Sequence, residues 1–187
     1  MSRAGVGALA RAEPATLSIE NVYRDYCDAV TRWAARLAGP EVETEDLVQE
    51  IFLVAHRKLG SFRHEGALAT WLYRITERVV LRRRRRERMR RWLMLPDARA
   101  GVDTASSAPT PLETLQRRRA AELTYEALEA LNENHRSAFI LFEIEELSGQ
   151  EIAELKGVSV STVWVWLHRA RARFLERLAK LEGEGKE

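Results

Sequence analysis

The chain has 187 residues, of which 45% are hydrophobic and 31% are charged. The length predicts one large or two small domains, and no apolar run approaches the roughly 20 residues that span a bilayer, which argues against a membrane-embedded protein. The first residues lack the sustained apolar stretch of a secretory signal, so we expect a soluble, cytoplasmic protein.

Cysteine and histidine give no indication of metal or redox chemistry. Cys27 is the only cysteine, so no intrachain disulfide can form, and we expect its side chain to be buried. The four histidines are scattered, and neither CxxC nor HExxH spacing occurs. We therefore expect no metal and no cofactor, and the lack of a nucleophile–base pair or phosphate loop argues against an enzyme.

The net charge of +2 hides a strong asymmetry along the chain. Residues 78–91 contain nine arginines and one acid, a local charge of +8, so the remaining residues sum to −6. This pattern predicts a segment that binds an anion.

The N-terminal half predicts a flexible tail at 1–16 and then three helices. Apolar residues recur every three or four positions over 19–37, which indicates an amphipathic helix that Gly39 and Pro40 end. Thr44 is the predicted N-cap of a second helix, and Gly60 its C-terminal stop. A third helix starts near Ala67 and enters the arginine run, so we expect its far end to be electropositive on all sides.

The proline-containing stretch 96–112 has no periodicity and is typical of a linker. It divides the chain into a domain at 17–95 and a domain at 113–182, followed by a short tail at 183–187. Apolar spacing predicts helices over 115–131 and 138–144, and no useful strand-like alternation appears. The predicted fold class is all-α, with two small helical domains on a flexible tether.

The clearest local pattern is a helix-turn-helix. Ser148 and Glu151 form a predicted capping box, Gly157 supplies the sharp turn, and Ser159 caps a second, longer helix. This arrangement can insert a recognition helix into the major groove, although a plain helical hairpin with a solvated outer side is the alternative. The outward residues of the second helix are Ser161, Val165, His168 and Arg169, flanked by Thr162 and Trp164.

The arginine run follows a helix that carries aromatic residues. Arginines neutralise phosphates, and flat side chains beside cations can stack unpaired bases, which favours nucleic-acid binding over a merely solvated charge run. Trp71 can equally belong to the core. The predicted phosphate contacts are Arg82, Arg83, Arg84, Arg85 and Arg86.

Two segments carry a family resemblance. Residues 46–87, which contain DLVQE and TWLYRI, resemble region 2 of the extracytoplasmic-function (ECF) sigma factors. Residues 128–178, which contain LHRAR, resemble their region 4. The resemblance implies a sigma-70 superfamily subunit that binds core RNA polymerase and promoter DNA, catalyses nothing itself, and has an anti-sigma factor as partner.

The resemblance also assigns roles to residues. For docking on the polymerase it nominates Asp46, Leu47, Gln49, Glu50 and Phe52. For the −10 promoter element it nominates Phe62, Arg63, Trp71, Arg74 and Arg78. For the −35 element it nominates the second helix of the helix-turn-helix, with Ser161, Thr162, Trp164, Val165, Trp166, His168, Arg169 and Arg171.

Some positions depart from the family pattern. Relatives commonly carry Lys or Arg at Trp164 and Trp166, and many carry Asn at Arg78, so the promoter sequence cannot be transferred from them. Trp166 can instead extend the core. Two alternative functions stay open: a sigma mimic that binds an anti-sigma protein without reading DNA, and a free-standing helix-turn-helix regulator.

Overall fold

The computed structural model describes residues 17–40, 42–62, 67–93 and 111–184, and every regular element in these ranges is helical. The all-α prediction is confirmed. The expected tail at 1–16, residues 63–66 and 94–110, which include positions 96–110 of the expected linker, and residues 185–187 lie outside the described residues. Residues 111–112 of the expected linker belong to α4, and residues 183–184 of the expected tail belong to α7. The helices are α1 (Ile19–Ala38), α2 (Thr44–Leu59), α3 (Leu68–Leu93), α4 (Pro111–Glu129), α5 (Glu133–Phe139), α6 (Gly149–Lys156) and α7 (Val160–Glu184).

Helices α1, α2 and α3 pack around one apolar core. Ser18 caps α1 by accepting a hydrogen bond from the Asn21 N–H at 3.3 Å. The helix ends at Gly39, whose positive φ of 88° suits a residue without a Cβ. In the core, the rings of Trp33 and Tyr73 meet edge to face with centroids 5.5 Å apart, which ties α1 to α3.

The start of α2 differs from the prediction. Thr44 is the first helical residue and not the N-cap; Glu43 occupies the cap position and its side chain makes no capping hydrogen bond. Glu45 and Asp46 lie in the first turn, where carboxylates interact favourably with the positive end of the helix dipole. The helix can therefore begin here without a hydroxyl cap.

The C-terminal half is built from α4 to α7. The predicted helix at 138–144 is continuous in the chain but changes its winding, because α5 passes into a π-helical segment, Ile140–Ile144, in which the Glu145 N–H bonds to the Ile140 carbonyl at 3.0 Å. The core of the C-terminal half includes Leu128, Ile152 and Leu167, all fully buried. Helices α6 and α7 form the helix-turn-helix on its surface.

The two halves also pack against each other, with α3 lying against α6. Arg136 is buried and donates a hydrogen bond to the Leu37 carbonyl at 3.1 Å, and the Tyr125 hydroxyl donates to the Arg36 carbonyl at 3.3 Å. The buried apolar residues of both halves form one continuous cluster. Among the described helices, none combines the length and apolarity needed to cross a bilayer.

Candidate nucleic-acid interface

The helix-turn-helix has the local bonding that its sequence predicts. Ser148 accepts the Glu151 N–H at 3.2 Å while the Glu151 carboxylate accepts the Ser148 N–H at 2.8 Å, a complete capping box. Gly157 adopts the left-handed conformation (φ 66°, ψ 43°), and Ser159 caps α7 by accepting the Thr162 N–H at 3.2 Å. These contacts fix the angle at which α7 leaves the turn.

The first turns of α7 present one side to solvent. Val163, Leu167 and Ala170 are buried against the rest of the domain. The exposed residues follow the three-and-four spacing of one helix side and are Ser161, Trp164, Val165, His168 and Arg169. Five of the eight nominated −35 residues therefore lie together on an accessible surface, which we call the reader stripe.

Two other nominated −35 residues are engaged elsewhere. Trp166 is half-buried, with the Lys156 ammonium 5.7 Å from its ring, so it extends the packed surface between α6 and α7. The Arg171 guanidinium pairs with Glu143 at 2.7 Å and lies over the Phe142 ring at 5.2 Å. The eighth residue, Thr162, contributes its hydroxyl to the cap through a 2.8 Å contact with the Ser159 hydroxyl.

Trp164 both packs and faces solvent. Its ring meets Phe142 edge to face at 5.5 Å, and a Cβ built on Gly149 would lie 3.0 Å from the ring. About half of the residue (48%) stays exposed. The contact between Phe142 and the Trp164 ring could not be predicted from the sequence, because an apolar residue in a short apolar run does not indicate which helix it contacts.

The nominated −10 residues lie on α3 and in the turn before it. The rings of Phe62 and Trp71 have centroids 5.3 Å apart, and both side chains are half-buried. Arg74 and Arg78 are exposed on α3, although a Cβ on Gly157 would overlap the Arg74 guanidinium, which places Arg74 against the turn of the helix-turn-helix. Arg63 lies outside the described residues.

The arginine run is not electropositive on all sides, and that expectation is wrong. Four of its arginines face carboxylates of this chain, because α3 runs between the acidic start of α2 and the acidic residues around α5. Arg82 lies 3.8 Å from Glu50, Arg83 lies 3.9 Å from Asp46, and Arg85 makes two 3.0 Å contacts with Glu133. Arg84, only 7% exposed, pairs with Glu129. Arg86 is exposed.

The nominated docking residues divide into two groups. Asp46 and Gln49 are exposed on α2 and Glu50 is half-exposed. Leu47 (0% exposed) and Phe52 (7%) are core residues, so their assignment to a contact surface is corrected: they belong to the periodic apolar stripe that holds α2 in place. Beside the exposed group the structure adds Leu53, which is 60% exposed and lies outside that stripe. We call Asp46, Gln49, Glu50 and Leu53 the α2 surface.

Where α3 meets α5 and α6, polar side chains form a buried cluster that we call the inter-half cluster. Lys156 pairs with Glu77 and lies 3.1 Å from the Ser137 hydroxyl, which is 3.3 Å from the Tyr73 hydroxyl. Burial, together with the charge of Glu77, raises the pKa of Tyr73 well above its usual value, so its hydroxyl stays protonated. Nearby, burial lowers the pKa of Arg136 to about 10, which leaves it charged at neutral pH.

This cluster could not be predicted from the sequence because its members are far apart in the chain; Glu77 and Lys156 are separated by 79 positions. Cys27 is partly buried against the core, close to the expected environment. Over the ranges that the structure describes, no group of three or more His, Cys, Asp or Glu side chains could hold a metal ion.

Comparisons with known proteins agree with this architecture. The sequence profile described as Sigma-70 region 2 matches residues 22–90, and the profile described as Sigma-70, region 4 matches residues 121–174. The RNA polymerase sigma factor YlaC of Bacillus subtilis is 32% identical over 167 residues, which cover 89% of this chain and 95% of YlaC. The ECF RNA polymerase sigma factor SigE of Mycolicibacterium smegmatis is 33% identical over 89% of this chain and 64% of SigE.

Solved structures share the fold. CnrH, in complex with the cytosolic domain of CnrY, superposes with a TM-score of 0.56 at 24% identity, covering 87% of this chain and 88% of CnrH. The sigma factor RpoE of Bartonella quintana, in complex with the anti-sigma factor NepR, gives 0.55 at 24% identity, covering 86% and 96%. The chain therefore belongs to the sigma-70 family, within which it is a promoter-recognising alternative sigma factor of the ECF type.

Proposed function

We propose that this chain directs transcription initiation by binding core RNA polymerase through the α2 surface, the −10 element through α3, and the −35 element through the reader stripe of α7. The observation that carries the proposal is the reader stripe itself, held by a complete capping box and a left-handed glycine turn. In this role the chain acts in the cytoplasm and supplies recognition, while the polymerase supplies the chemistry.

The α2 surface suits a basic, partly apolar partner surface. Its carboxylates lie at the exposed side of the helix, where their contacts with Arg82 and Arg83 are long (3.8 and 3.9 Å), and Leu53 adds a large apolar side chain beside them. A few side chains that become fully desolvated at the centre of an interface contribute most of its affinity, whereas rim charges chiefly steer the approach. Leu53 is accordingly proposed as the centre of the docking contact.

The −10 contact is proposed for the aromatic pair at the start of α3. The tilted rings of Phe62 and Trp71 offer a stacking platform, and Arg74 and Arg78 follow on the same helix. Stacking on aromatic side chains stabilises unpaired bases by about 1–3 kcal/mol each, so such a platform favours opened over paired DNA. An anti-sigma factor is proposed as a further partner, as in the Bartonella quintana complex.

The docking proposal is tested with a Gln49→Ala/Glu50→Ala double variant and a separate Leu53→Ala variant. We expect both to compete poorly with the wild-type chain for core polymerase, and Leu53→Ala to weaken binding by at least tenfold, the range of a desolvated interface residue. Glu182→Ala, which removes an exposed carboxylate at the far end of α7, is the control. Undiminished competition by both variants would move the docking contact elsewhere.

The DNA proposal is tested by replacing Arg82, Arg85 and Arg86 with alanine while leaving the buried Arg84 in place. Because each arginine that neutralises a phosphate releases counterions, the variant should weaken promoter complexes and flatten their salt dependence while core binding persists. An unchanged salt slope would refute the role of the run. A chain that binds core but starts transcription nowhere would instead fit the sigma mimic.

A further inference from the structure

The reader stripe is unusual in its chemistry, because its centre is apolar. Trp164 and Val165 are each 48% exposed, and both lie in the second turn of α7, on the solvent side of the helix. The N-terminal turns of a recognition helix are the part that contacts base edges in helix-turn-helix proteins. The side chains in the best position to touch bases therefore carry no charge and no hydroxyl group, and the indole N–H of Trp164 is their single hydrogen-bond donor.

The polar side chains of the preceding turn are committed to the helix cap. The Ser159 hydroxyl lies 2.9 Å from the Ser161 hydroxyl and 2.8 Å from the Thr162 hydroxyl, and it also accepts the Thr162 N–H. Further along the helix, Arg171 is held by Glu143 and Phe142. The charged or ring-nitrogen groups of the reader stripe are those of His168 and Arg169, which lie one turn beyond the apolar pair.

The major groove has one apolar feature that such a surface can recognise. Thymine carries a C5 methyl group there, whereas guanine, cytosine and adenine present only hydrogen-bond donors and acceptors to side chains of this kind. Covering a guanine or cytosine edge with an apolar side chain would leave its polar groups without partners, which costs about 1–3 kcal/mol for each buried group. The apolar surface therefore favours thymine both by contact and by exclusion.

Trp164 is also held in a defined orientation, so its reading position is fixed. Phe142 supports one edge of the ring at 5.5 Å, and Gly149 allows the ring to approach α6 where a Cβ would lie only 3.0 Å away. Since an alanine at this position would require the ring to shift by a few tenths of an ångström, Gly149 is a positioning residue for Trp164.

We infer that Val165 and Trp164 determine −35 specificity by contacting thymine methyl groups, so that this sigma factor prefers thymine at one or two −35 positions. This inference rests on the proposed function, since it names the base chemistry that the proposed −35 contact recognises. In this inference, Gly149 and Phe142 orient the Trp164 ring toward the DNA.

The test uses holoenzyme reconstituted from core polymerase and the full chain, on a promoter selected from the transcripts that this holoenzyme initiates. Each −35 thymine is replaced singly by deoxyuridine, which removes only the C5 methyl. We expect one or two replacements to weaken promoter binding about fourfold, the effect of one methyl group withdrawn from water. No effect at any −35 thymine would overturn the inference.

Variants assign the methyl contacts to side chains. Val165→Ala should lose the discrimination between thymine and deoxyuridine at one position while binding the deoxyuridine promoter as well as wild type does. Gly149→Ala should reduce the discrimination that depends on Trp164, and Leu175→Ala, an exposed apolar residue further along α7, is the control that should retain all of it. Full discrimination in both Val165→Ala and Trp164→Ala would also overturn the inference.

Failure of the proposed function and failure of the methyl contacts give different experimental results. A holoenzyme that initiates at no promoter contradicts the proposed function before any thymine is replaced. A holoenzyme that initiates normally and is indifferent to deoxyuridine contradicts only the methyl contacts.

Discussion

The lack of a side chain at Gly157 allows α3 to pack closely against the turn of the helix-turn-helix. Its φ of 66° is a conformation that L residues adopt at a cost, and a Cβ there would overlap the Arg74 guanidinium. We expect Gly157→Ala to lower the free energy of unfolding by about 1–2 kcal/mol, measured by urea denaturation.

The matched control is Gly183→Ala. Gly183 lies inside α7 with open space around it, so alanine should be neutral or stabilise the helix by up to about 1 kcal/mol. Equal effects of the two substitutions would contradict the role assigned to the turn.

His135 makes the stability of the C-terminal half depend on pH. Burial lowers its pKa from 6.5, and the charge of Arg169 lowers it further; the ring also contacts the Asn132 amide at 3.1 Å. Because the folded chain binds this proton more weakly than the unfolded chain, the free energy of unfolding should fall as the pH drops below 6.5 through the lowered pKa. His135→Gln should flatten that dependence between about pH 7 and pH 5 in urea titrations. An identical pH profile would contradict this prediction.

At the scale of single elements, the capping box decides where α6 begins. Replacing Ser148 by alanine removes the acceptor for the Glu151 N–H and should lower the free energy of unfolding by about 1 kcal/mol. Ser148→Thr keeps a hydroxyl at the same position and should retain most of the wild-type stability. Thermal unfolding of both variants and of the wild type measures the difference. If Ser148→Thr is as unstable as Ser148→Ala, packing and not the cap determines the loss of stability.

Those elements whose signals are local were predictable from the sequence. The capping box of Ser148 and Glu151, the turn at Gly157 and the cap at Ser159 depend on residues a few positions apart, and the structure contains all three. The cap of α2 was predicted one residue too late, because Glu45 and Asp46 stabilise the helix start through the dipole instead of a hydroxyl. The π-helical winding at 140–144 leaves no local pattern that distinguishes it from an α-helix.

Contacts between distant residues were not predictable in this way. The run at 82–86 has the composition of a phosphate-binding strip, and nothing nearby in the sequence reveals that Glu129 and Glu133 lie against Arg84 and Arg85. Leu47 and Phe52 look like members of a recognition motif, but their places in the three-and-four spacing of α2 already indicated burial. Periodicity was the better guide to these two side chains.

For the whole molecule, the inter-half cluster is the contact to test. Lys156 and Glu77 are largely shielded from solvent, and a buried ion pair that loses one partner leaves an uncompensated charge, at a cost of about 3–5 kcal/mol. We expect Lys156→Met to separate the halves and to increase the radius of gyration in small-angle X-ray scattering. Adding Glu77→Gln should partly restore compactness, and unchanged scattering by Lys156→Met would show that the other contacts between the halves are enough to hold them together.

The carboxylates that face the arginine run also bear on how DNA binding would respond to salt. Phosphates compete with Glu129 for Arg84 and with Glu133 for Arg85, and each carboxylate that loses its arginine then attracts cations from solution. Ions released by the DNA are thereby partly recaptured by the protein. The logarithm of affinity should consequently fall less steeply with the logarithm of salt concentration than about 0.9 for each phosphate neutralised, so a phosphate count taken from that slope would come out too low.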